Sequence, residues 1–158
     1  MVRTENAWDV QLENLLTEIR ASEKAYGTLV QSDRYPRFRP FFKKRYFRQQ
    51  HSRMILDEEF EVIKGRSAKE TGPKSNLIFS SLENRLLEDK MTDREIDALI
   101  IRSEEELLLK YQQVLSHPEL PNVTDALLQS QAEEGNNLLQ GLRTDYQINL
   151  RRPLPEFV

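Results

Sequence analysis

Residues 8–30, WDVQLENLLTEIRASEKAYGTLV, decide the fold. Leu12, Leu16, Ile19, Glu23, Tyr26 and Val30 follow one another at alternating spacings of four and three residues, which gathers them along one face of an α-helix. The pattern recurs downstream at Ile100, Glu104, Leu107, Tyr111 and Val114. In both stripes a glutamate stands where a leucine would be expected. A carboxylate on the buried side of a helix must be met by a metal, a cation, a proton or hydrogen bonds, because burying it unpaired is costly.

Working outward, Gln31-Ser32-Asp33 and Pro36 stop the first helix. A second helix is expected from about Arg37 to Ile63, with Pro40 in its first turn and the stripe Phe42, Tyr46, Gln49, Arg53, Leu56, Phe60, Ile63. Lys64-Gly65 suits its C-terminal cap, and residues 64–75 read as a loop with no large apolar side chain. A shorter helix, about Asn76 to Glu88, is expected to lie across the bundle within a long crossover. Thr92-Asp93-Arg94-Glu95 has the form of a capping box, in which threonine and glutamate satisfy each other's backbone N–H groups, and opens a third long helix ending near Leu115. Pro118 to Pro121 is a tight joint to a fourth, from about Val123 to Asp145, with Leu127, Gln131, Glu134 and Leu138 in line and Leu128 and Leu142 beside them. The expected fold is all-α, an up-down four-helix bundle in one domain over 8–146, with irregular termini at 1–7 and 147–158.

Composition bounds the rest. Charged residues make up 31% and hydrophobic ones 38% of 158 residues, as amphipathic helices require, and five glycines argue against a turn-rich β protein. The first residues are too polar for a signal peptide and no apolar run approaches the ~20 residues of a membrane span, so the expectation is a cytoplasmic protein with no membrane contact. The absence of cysteine excludes disulfides, thiolate nucleophiles and Cys-ligated metals or iron–sulfur clusters. No Ser-His-Asp order, glycine-rich phosphate loop, Walker motif or paired-acid spacing occurs, so hydrolase and nucleotide-binding readings have no support.

Two helix pairs joined by a long crossover is the ferritin-like arrangement. The segments Ser22-Glu23-Lys24-Ala25-Tyr26, Gln49 through Arg53 with Glu59-Phe60, Ser103-Glu104-Glu105 with Tyr111, and Gln131 through Glu134 resemble a bacterial ferritin-like family of unknown function, over roughly residues 10–146. The resemblance implies a small bundle, often dimeric and in some cases stress-associated. Metal-using members of the wider superfamily place a lone glutamate on two helices and Glu-x-x-His on the other two. Glu23 and Glu104 match the lone glutamates, but the pairs become Gln49-x-x-Ser52 and Gln131-x-x-Glu134, so both histidines and two carboxylates are missing.

The reading this favours is a non-enzymatic bundle with a degenerate metal centre and no cofactor. Arg53 would reach Glu23, Glu104 or Glu134 in place of a metal, within a buried network of Gln49, Ser52, Gln131, Tyr26 and Tyr111. One alternative is a carboxylate-bridged site for iron or manganese, ferroxidase-like or for storage, on Glu23, Glu104, Gln131 and Glu134. A second is anion or nucleic-acid binding through the basic second helix, by Lys43, Lys44 and Arg48 facing water, although pI near 5.6 argues against a dedicated nucleic-acid binder. A homodimer is expected, the basic stretch meeting acids of a second copy around Glu104-Glu105-Glu106 or Glu88-Asp89. His51 and His117 read as surface histidines.

Overall fold

The structure, a computed structural model, describes residues 7–69 and 77–151, the last three through their backbone alone. The expectations placed on residues 1–6, 70–76 and 152–158 lie outside the described residues. Among those described, every regular element is helical: α1 Trp8–Gln31, a 3-10 turn Pro36–Phe38, α2 Arg39–Lys64, α3 Ile78–Glu88, α4 Asp93–Leu115 and α5 Asn122–Arg151.

Local chemistry sets most of these limits. Pro36 opens the 3-10 turn and Pro40 lies in the first turn of α2, where a missing N–H costs nothing. Gly65 closes α2 at φ 67°, a left-handed conformation that favours glycine, and its N–H bonds Glu61 O at 2.8 Å. At the start of α4 the Glu95 N–H donates to Thr92 Oγ1 at 3.2 Å, half of the expected box. The Glu95 carboxylate meets the Thr92 hydroxyl at 3.1 Å. α5 continues six residues beyond Asp145, a correction to the irregular terminus expected from 147, because no glycine or proline interrupts the chain before Pro153.

The cross-links fix the directions. Asp9 pairs with Lys64 at 2.7 Å and Arg20 with Asp57 at 2.7 Å, so α1 and α2 are antiparallel. Tyr111 to Gln131 and Arg143 to Glu105 make α4 and α5 antiparallel as well. α1 runs against α4, with Tyr26 beside Glu104 and Gln11 beside His117, and α2 runs against α5, with Glu59 beside Thr124. The short α3 does not lie across the bundle as expected but along α1, in the same direction, and also touches α4. The crossover between the two long pairs thus returns along their full height.

Because α1 packs on α2, α3 and α4, it is buried on more than one stripe. Leu15, Ser22, Ala25 and Leu29 join Leu12, Leu16, Ile19 and Tyr26 in the core, while Glu23 sits at the margin. In α2 the buried line is Phe42, Gln49, Ser52, Leu56 and Phe60, one position round from the line through Tyr46 and Arg53. In α5 it is Thr124, Leu128, Ala132 and Leu139, with Leu127, Glu134 and Leu138 on its flank. α4 buries the expected Ile100, Glu104, Leu107, Tyr111 and Val114.

Candidate functional site

The turned face of α2 brings Arg45 to the centre. Position 45 lies three residues after Phe42 and four before Gln49, on the line that α2 buries. α2 and α4 are not packing neighbours, and the guanidinium spans the gap between them. Its Nε donates to Glu104 Oε1 at 2.9 Å and its Nη2 to Oε2 at 2.6 Å, a two-pronged pair with the Glu104 side chain 2% exposed. The fully buried Tyr26 hydroxyl of α1 adds a third donor to Glu104 Oε1 at 2.7 Å. Three helices therefore converge on one carboxylate.

Charge and burial act together here. Burial works against the Arg45 charge, but the Glu104 charge and its hydrogen bonds outweigh it and hold the guanidinium proton more tightly than usual. Burial, reinforced by the Glu104 charge, pushes the Tyr26 phenol well above its ordinary range, and burial first also raises Tyr111. Tyr111 donates to Gln131 Oε1 at 2.7 Å, and Gln131 Nε2 reaches Ser52 O at 3.4 Å. Gln49 donates to Ser22 Oγ at 2.7 Å, whose hydroxyl bonds Ile19 O. A cavity of about 20 Å³, roughly the room for one water, lies among Arg45, Gln49, Ser52, Glu104, Tyr111 and Gln131. Among the described residues no buried side-chain nitrogen or oxygen lacks a partner.

The other expected site residues lie elsewhere. Arg53 is not in the centre. It holds Glu23 at the α1/α2 edge, with Nη2 to Oε1 at 3.2 Å, and continues to Asp57 and Arg20. The edge position follows from the phase of α2, which turns residue 53 away from α4. Glu134 is 42% exposed and pairs with Arg48 at 2.7 Å, so Arg48 is engaged rather than free to meet an anion. Lys43 and Lys44 are exposed on opposite sides of Phe47. Lys44 borders a cleft of about 660 Å³ between α2 and α5, and Lys43 faces a groove along α1. Arg48 borders the same cleft as Lys44, so of the three only Lys43 points to the other side.

A carboxylate-bridged metal pair needs several anionic oxygens around one point. Glu23, Glu104 and Glu134 are held in three separate ion pairs, and both oxygens of the central one carry an arginine. Among the described residues no three His, Asp or Glu side chains come within common reach of an ion. This donor set does not fit such a centre.

Two more residues escaped the sequence pattern. Glu18, 4% exposed, crosses from α1 to cap α3, accepting the Ile78 N–H at 3.2 and 3.1 Å. α3 has no side-chain cap from Leu77, and burial raises the Glu18 carboxyl. His117 is a bridge rather than a surface residue, its Nε2 2.8 Å from Gln11 Oε1 and its side chain 19% exposed. The signal for Glu18 was present, since it adjoins Leu15, Ile19 and Ser22 on a second face of α1. His51 is exposed as expected. No helix among the described residues is long and apolar enough to cross a membrane. No family model matches the chain, and no curated protein or solved structure matches it either.

Proposed function

We propose that the chain is a non-enzymatic, ferritin-like helical bundle in which an arginine occupies the place that metal-using bundles give to their ions. The observation that carries this reading is the two-pronged Arg45–Glu104 pair, completed by Tyr26. Arg45 supplies permanent positive charge at the centre, where Glu104 would otherwise need a metal or a proton. The connectivity supports the ferritin-like part: two antiparallel pairs, joined by a crossover that runs back along the bundle, with each long helix antiparallel to the long helices it packs on.

A molecule built in this way offers its surfaces, not its core, for recognition. The test is metal content of protein purified without chelator or metal-affinity tag, with thermal shifts on adding iron, manganese or zinc. Metal-free protein with no shift in wild type is expected. Near-stoichiometric iron or manganese that disappears in Glu104→Ala would overturn the reading.

A further inference from the structure

The outward face of α2 carries Lys44, Phe47, His51, Met54, Glu58 and Glu61, all exposed and all spaced by three or four residues in alternation. This is the a/d repeat of a coiled-coil seam, yet it faces away from the helix's own core line of Phe42, Gln49, Ser52, Leu56 and Phe60. Phe47 and Met54, 55% and 57% exposed, are its apolar members. Its charge is divided by end: Lys44 at the N-terminal end, Glu58 and Glu61 at the C-terminal end. Among the described residues none of these three makes an ion pair, whereas Asp57, Arg53 and Arg48 beside the seam are engaged within the chain.

We infer that this face is a self-complementary surface on which a second copy of the chain docks, α2 against α2 and antiparallel. A two-fold axis level with the Ser52–Arg53 peptide sets Lys44 opposite Glu61 of the second copy, Phe47 opposite its Glu58, and His51 opposite its Met54, and repeats each layer in reverse. In antiparallel seams a positions face d positions, which this register satisfies throughout. A parallel pairing would set Lys44 on Lys44 and Glu61 on Glu61, so the charges select the direction. The acids first considered as the docking partner are engaged within the chain, apart from Glu88, which is exposed on α3 away from this seam; its neighbour Asp89 pairs with Arg85 at 3.7 Å. Glu104 is buried, Glu105 pairs with Arg143 at 3.1 Å and Glu106 with Arg102 at 3.4 Å. The inference does not depend on what the central pair does.

The test is sedimentation equilibrium of the full chain with charge reversals at the outermost layer. Wild type is expected to form a concentration-dependent dimer weakened by salt. Lys44→Glu and Glu61→Lys should each raise the dissociation constant roughly tenfold or more, since each dimer contains the altered layer twice. The double variant Lys44→Glu/Glu61→Lys should return to about the wild-type value. A chain without cysteine allows a second readout. Mixing His51→Cys with Met54→Cys chains should give disulfide-linked dimers faster than either alone. A monomer at all concentrations, a dimer indifferent to the single reversals, one not restored by the double, or cross-linking no faster in the mixture would overturn the inference.

Discussion

Arg45 and Glu104 form one unit, and their substitutions should not add. Arg45→Met leaves a buried carboxylate with only a tyrosine partner and should cost about 3–5 kcal/mol in urea unfolding, whereas Arg45→Met with Glu104→Leu should recover most of the loss. Glu18 behaves differently, because burial raises its carboxyl and the folded chain holds the proton where the unfolded chain has released it. Its contribution is greatest below the unfolded value, just above pH 4, and declines as pH rises through the folded one. Glu18→Gln should flatten this part of the stability profile, while Glu18→Ala should cost about 1 kcal/mol and speed amide exchange at the start of α3. At this scale the sequence showed that the Glu104 carboxylate needed a partner and pointed to Arg53, where the structure has Arg45. The spacing misled because Arg45 and Arg53 fall on faces of α2 with equally regular apolar lines, and the choice rests on how α2 is rotated against α4.

The helices differ in how completely their own residues specify them. α4 was legible in both limits and buried face because a threonine cap, a regular stripe and a proline-bounded end all agree. α5 was less so. It has no strong stop before Pro153, and its small buried residues, Thr124 and Ala132, are poor signals beside the larger but half-buried Leu127 and Leu138. Gly135 interrupts α5 where a methyl group would meet Leu108 Cδ1 at 3.7 Å, an ordinary contact. Gly135→Ala should therefore stabilise the fold by about 1 kcal/mol in thermal or denaturant unfolding. Gly27→Ala should yield less, because its Cβ would come within 3.0 Å of the Tyr46 ring. Gly65→Ala should cost about 1 kcal/mol, since φ at that position is positive.

Across the whole molecule, helix number, order and the crossover were legible because the connections are marked by proline, glycine and small polar residues. What the sequence left open was the relative rotation of the pairs, which comes from long-range packing and decides which polar residues meet. Tyr26 joins α1 to a carboxylate that Arg45 joins to α2, so the centre couples helices from both pairs through a phenol. That choice of hydroxyl sets a limit in strongly basic solution. The unfolded tyrosine releases its proton near its usual value of about 10, but the folded one resists, since burial disfavours the phenolate and the Glu104 carboxylate would face it. Stability must then fall as pH climbs past that value. The ultraviolet signal of Tyr26 and Tyr111 ionising should appear together with loss of helix, as a single cooperative step.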